Sequence, residues 1–307
     1  MRAFASTVTL ILAALLAAAL LAYPAWELVG LISPQPIHRV LHRIAMLVVI
    51  LGALWLLRRW QLFHRHAFGF GQPRRILVRQ LLGGLAGGTA VVLPLAMALY
   101  AFDVRIAKPD LTVTALPALH LLATGLISGL VVATIEETFF RGVLFTAVRR
   151  ESGTVAAVFL PSLLYSAVHF LGGRLRLPAE QLDWTSGFAV LENMLIQYSQ
   201  PGAMIDSFLA LFAVGALLAW ARVKTRSIAA PIGLHAAGVC VISFLRETTL
   251  VQTQHGNAWL VGGYDGVLGW GSLIWMVALS SLAYLTLRAV QAMRTDKSLE
   301  PGGEQRA

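Results

Sequence analysis

Apolar residues run through this chain in long stretches, with the charged residues gathered between them, which is how helices threaded through lipid read. Eight stretches have roughly the 17–25 residues that the hydrocarbon core of a bilayer demands. They cover approximately 5–23, 40–57, 77–101, 116–140, 154–171, 203–221, 228–245 and 267–289. The pattern predicts an all-α, polytopic membrane protein with about eight transmembrane helices. Helices 1–3 fall within residues 1–115 and the last helix within 247–292, ahead of a polar, disordered tail over 293–307 that carries Pro301 and a glycine pair. No internal repeat and no detachable soluble domain is visible. The longest connection, 172–200, mixes Pro178, Trp184 and Tyr198 with a short apolar piece, and fits either an interfacial helix or a lid over a cavity.

Charge orients these spans. The connection 58–79 holds Arg58, Arg59, Arg65, Arg74, Arg75 and Arg79 without an acid, so it is expected on the cytoplasmic side. Counting onward puts Arg149 and Arg150, then Arg222, Lys224 and Arg226, then Arg288, Arg294 and Lys297 on that same side. The alternate connections carry Asp103 and Asp110, Asp183 and Glu192, and Glu247 and Asp265. An even number of spans with both termini in the cytoplasm satisfies all of these positions. The first span also has the form of a signal peptide, with Arg2 ahead of an Ala/Leu-rich stretch.

Composition agrees. Only 13% of residues are charged, about half of what a soluble domain carries, and mean hydropathy is +0.72. The net charge of +9 follows the ends of apolar runs, so it reports topology and not nucleic-acid binding. Ala, Leu and Arg richness points to a bacterial inner membrane. The single cysteine, Cys240, excludes an internal disulfide and a cysteine-based metal cluster; it reads as a small core residue.

Charged side chains inside the hydrocarbon cost several kcal/mol and usually mark function. In Glu136-Glu137-Thr138-Phe139-Phe140-Arg141, Glu137 and Arg141 are four apart with the acid first, the favoured order for an ion pair on a helix. Glu136 is turned about 100° away and left available. His169 stands on the next span, at a depth close to that of Glu136 when both are counted from the turn near 151–153. A Glu and a His facing each other in low dielectric can share a proton and activate a water. His235, followed by Ala236, Ala237 and Gly238, lies nearer the cytoplasmic end of its span, so its depth matches imperfectly unless that end is sunk into the protein. His38, His42, His64 and His66 flank basic connections and are expected at the interface; Asp206 is a weaker site candidate.

Glu136-Glu137-x-x-x-Arg141, Tyr165-x-x-x-His169 and His235, in this order on membrane spans, resemble the CPBP family of intramembrane proteases, the group of CAAX prenyl endopeptidases and Abi-type proteins. The resemblance covers roughly 116–245 and implies a protease core over 116–246. It implies that Glu136 and His169 activate water, that Glu137 and Arg141 brace the site, and that His235 polarises the scissile carbonyl or stabilises its oxyanion. No His-Glu-x-x-His motif is present. Zinc held by Glu136, His169 and His235 is a possible cofactor, and a metal-free glutamate-type mechanism suits the same residues equally. Two positions depart from the family: Tyr165 replaces its usual Phe, adding a hydroxyl, and Val239 replaces its Asn, removing an oxyanion donor. The expected activity is endopeptidase cleavage of membrane-associated or lipidated peptides, the partners being that substrate and the bilayer. Against it stand a non-catalytic immunity or scaffold role, which Val239 favours, and a proton-coupled transporter, for which no inverted repeat is visible.

Overall fold

The first long apolar run forms α1, Arg2–Gly30. Its Ala14, Ala18 and Ala22, spaced four apart beside Leu15 and Ala19, make a flat strip that neighbours can approach closely. Against that strip lie α2, Ile37–Arg59, and α6, Ser186–Leu195, through Ile37, Leu41, Val190 and Met194. The computed structural model describes residues 1–282 and 285, except 110, 112, 113 and 174.

α3 (Arg74–Ala101), α4 (Ala115–Glu137) and α8 (Ala229–Thr248) form a three-helix layer with α8 in the middle. Glycine makes the layer possible. Gly84 and Gly88 of α3 meet the carbonyls of Ala230 and Leu234, and Gly129 of α4 meets that of Ala236; a Cβ at Gly88 would lie 2.6 Å from the Leu234 oxygen. Gly125 and Ala133 extend the strip on α4, so α8 is held on two faces at backbone contact distance.

Beyond Glu137 the helix widens into a π-helical turn, Thr138–Leu144, and continues as α5, Phe145–His169. The chain is helical from Ala115 to His169, a 55-residue stretch that turns back at Gly153, whose φ of 81° a side chain would strain. α5 packs on α7, Pro201–Thr225, where Gly215 lies against Ser162 and Ser166 Oγ donates to the Phe208 carbonyl at 2.6 Å.

A short antiparallel pair, β1 (Arg105–Ala107) with β2 (Thr249–Val251), ties the ends of α3 and α8 together. Buried Arg105 fastens it by donating to Thr249 Oγ1 at 2.8 Å and to the Gly266 carbonyl at 2.6 Å. The loop 252–269 is thereby pinned over the layer, and Asp265 accepts from the amides of Val267 and Leu268 at 2.9 and 2.7 Å.

Six helical stretches of the described residues are long and apolar enough to cross a membrane, the bent 115–169 stretch counting as one; α9, Trp270–Leu282, is a shorter apolar helix. Eight expected spans thus become six such stretches, because the fourth and fifth are continuous through Gly153 and the eighth extends past the described residues, as does the expected tail. Leu12, Leu16, Leu20, Met46, Leu47, Ile127 and many like them are exposed, a surface that lipid satisfies and water does not. The protein is an all-α polytopic membrane protein.

In the segment 172–200, α6 packs an apolar face on α1 and α2, while Tyr264, Asp265, Val267 and Leu268 of the loop 252–269 line an apolar cavity against α3, α7 and α8. His38 differs from its interfacial expectation: it is buried, with Nδ1 3.2 Å from the Leu175 carbonyl, while His64 and His66 are exposed.

Candidate active site

α4 ends on Glu136 and Glu137, whose side chains meet different neighbours. Glu137 is fully buried. Its Oε1 accepts from Arg141 Nη1 at 2.9 Å, and Arg141 Nη2 donates to the Gly215 carbonyl at 3.1 Å. The Arg141 guanidinium also lies 4.4 Å from the centre of the Tyr165 ring. A buried pair repays its desolvation through such added partners, though Glu137 Oε2 and Arg141 Nε make no hydrogen bond among the described residues. Arg222 Nε donates to the Arg141 carbonyl at 3.1 Å, fixing the π-helical turn from α7.

The second partner of Glu137 Oε1 is His235, whose Nδ1 lies 3.0 Å away. A carboxylate only accepts, so the hydrogen is on Nδ1. His169 Nδ1 lies 2.6 Å from the Tyr165 carbonyl, which fixes its hydrogen at Nδ1 as well. In their neutral form both rings then present a bare Nε2. Each Nε2 stands 3.9 Å from Glu136 Oε2. Three acceptors converge there, and Glu136 Oε2 is buried without a hydrogen-bond partner among the described residues. The separation is too long for a direct hydrogen bond and is one that a bridging water spans. The Glu136 side chain is 27% exposed against 0% for Glu137. One carboxylate is paired and dry; the other is partly exposed, with its buried Oε2 left unpaired.

His235 reaches this position because the start of α8 is sunk. Ala229, Ala230, Pro231, Ile232 and Gly233 are buried, the Ile228 amide donates to the Gly69 carbonyl at 3.1 Å, and Gln80 Nε2 to that of Thr225 at 3.1 Å. The mismatch expected from residue counting is absent for that reason. Asp206 is turned to its own neighbour, the Ser207 amide, at 2.6 Å.

A cavity of about 370 Å³ opens beside the two imidazoles, lined mostly by aliphatic side chains of α3, α7 and α8, with Val239 among them. Glu136 is not on its wall and meets it across the histidines. Tyr165, His169, His235 and Tyr264 share the wall, and the Tyr264 ring centre lies 6.1 Å from that of His169. Sequence reasoning passed over Tyr264, Gly215 and Arg222. No spacing rule singles out a tyrosine in an irregular loop or a backbone carbonyl, and Arg222 sits among basic residues that topology explains equally well.

Whether these residues suit zinc divides into two parts. In kind they do: two imidazole Nε2 atoms, with Nδ1 held by a carbonyl in one and a carboxylate in the other, plus the Glu136 carboxylate as a third donor, are common zinc donors with their usual supports. In spacing they stand wider than the roughly 3.4 Å between ligands on one tetrahedral zinc. Among the described residues no group of three or more His, Cys, Asp or Glu is disposed to hold a metal ion.

Fold and site together define a membrane protein with a carboxylate–imidazole centre inside its helix bundle. Residues 118–241 match the family model described as Rce1-like, type II CAAX prenyl endopeptidase. Over that segment the chain is similar to CAAX-type intramembrane proteases of the CPBP family, and the match supports a protease of this general kind. The segment contains Glu136, Glu137, Arg141, His169, His235 and Val239. No curated protein matches the chain.

Proposed function

We propose that this protein is an intramembrane endopeptidase that cleaves membrane-associated or lipidated peptides with a water activated by Glu136 and His169. The observation that carries the reading is the convergence of Glu136 Oε2 with the Nε2 atoms of His169 and His235, each 3.9 Å away. A water among three acceptors donates both hydrogens and turns a lone pair outward. Glu136 takes one proton as the water oxygen adds to the scissile carbonyl carbon. The C–N bond then breaks, and the proton passes to the departing nitrogen, leaving a carboxylic acid and an amine. General-base help of this kind contributes about 10²–10⁴-fold. Glu137 and Arg141 act through His235, holding its ring and tautomer. The apolar cavity suits an apolar stretch of substrate beside the cleaved bond. Both termini are assigned to the cytoplasmic face of the bilayer.

The test is cleavage of a membrane-peptide library by detergent-purified wild type and His169→Ala, with zinc measured on the same samples. Cleavage that disappears in the folded variant supports the protease. Stoichiometric zinc lost along with activity assigns zinc to Glu136, His169 and His235, whereas cleavage without zinc selects the glutamate-type route. A well-folded wild type that cleaves nothing overturns the proposal.

A further inference from the structure

Water attack at an amide drives negative charge onto the carbonyl oxygen, and removing a fixed donor at such an oxygen costs about 10²–10³-fold in kcat. Val239 brings only methyl groups to the cavity wall. His235 gives its Nδ1 hydrogen to Glu137, so it offers one at Nε2 only as the imidazolium. Trp275 Nε1 already donates to the Val91 carbonyl at 2.9 Å. Ser243 lies eight residues beyond His235, about 12 Å farther along α8. Tyr165 is 2% exposed, with its ring held between Arg141 and His169.

Tyr264 shares the wall with Tyr165 but is far more exposed. It is 37% exposed and lines the same cavity wall as His169 and His235, and its hydroxyl has no partner among the described residues. Its backbone is fixed by the Asp265 turn and by Arg105 on Gly266. We propose that Tyr264 is a catalytic residue whose hydroxyl donates to the oxygen of the scissile carbonyl from the cavity side, opposite the water at Glu136. Burial first, then Asp265 and Glu136, push the phenol up to about 12, so it keeps its proton at neutral pH. A neutral donor requires no protonated histidine, and it occupies the part Val239 leaves empty.

The inference rests on the protease reading, and two readouts keep their failures apart. The first is titration of a phosphinic peptide, apolar on both sides of the phosphinate, into wild type, Tyr264→Phe and Tyr165→Phe. The phosphinate oxygens stand in for the tetrahedral intermediate. Tyr264→Phe is expected to weaken binding about 10–100-fold and Tyr165→Phe little. The second is cleavage, where Tyr264→Phe should lower kcat about 10²–10³-fold with KM nearly unchanged. Equal affinity in wild type and Tyr264→Phe, no binding to wild type, or a loss confined to Tyr165→Phe overturns the donor role. Cleavage that needs Glu136 but not Tyr264 overturns it too and leaves the protease standing. Tyr264-dependent phosphinate binding by a wild type that cleaves nothing overturns the protease reading and leaves the donor site.

Discussion

Glu137 and Arg141 show how much one residue pair can reveal. Their i,i+4 order predicts an ion pair, and the structure places them 2.9 Å apart with no exposure. What spacing could not reveal is the company they keep: His235 on one side and the Gly215 carbonyl on the other come from α8 and α7, set by packing and not by local order. Because the pair is dry, removing one partner strands the other. Arg141→Ala is expected to cost ~3–5 kcal/mol, read as a fall in the midpoint of thermal unfolding in detergent. An unchanged midpoint would mean that Glu137 is neutral or reaches water. Tyr264 marks the opposite limit of legibility, since its place depends on β1, β2 and Arg105 pinning a loop of no regular pattern.

Among the elements, α8 is the one on which the site turns. Apolar length made it visible as a span, and the small residues around His235 suggested close approach. Its tight seat against α3 depends on which face each glycine presents. Gly83 and Gly84 separate these effects. A Cβ at Gly84 meets the Ala230 carbonyl, while one at Gly83 meets nothing within 4 Å. Gly84→Ala should therefore push α8 outward, costing ~1–3 kcal/mol and lowering turnover by moving His235 off Glu137. Gly83→Ala should be neutral or slightly stabilising. Unfolding midpoints and cleavage rates of the two variants measure this, and equal behaviour would contradict the seat described for α8. Two other elements escaped the apolar pattern for a physical reason. The π-helical turn arises from local widening that hydrophobicity does not register, and α6 shows the same apolar face whether it packs on helices or lies on lipid.

At the scale of the whole molecule, the basic connections gather at one end. The N-terminal ammonium lies 2.9 Å from Glu151, Arg150 donates to the Trp60 carbonyl at 3.2 Å, and Ile228 bonds to Gly69. Charge counting anticipated this grouping because topology acts on linear sequence. It could not anticipate that Arg222 would be buried as a brace, since a topological arginine and a structural one read alike. If that end faces the cytoplasm, a membrane-impermeant maleimide on intact cells should label Glu180→Cys and spare Arg65→Cys, both in a Cys240→Ala background. The reverse labelling would invert the assignment.

The central claim is that Glu136, and not its buried neighbour, activates the water. Glu136 makes no hydrogen bond among the described residues and is partly exposed, so Glu136→Gln should fold as wild type does. The most direct measurement is the rate of peptide cleavage by Glu136→Gln, with its unfolding midpoint taken on the same preparation. The account predicts a loss of about 10²–10⁴-fold at an unchanged midpoint. A variant that keeps the wild-type rate would contradict it.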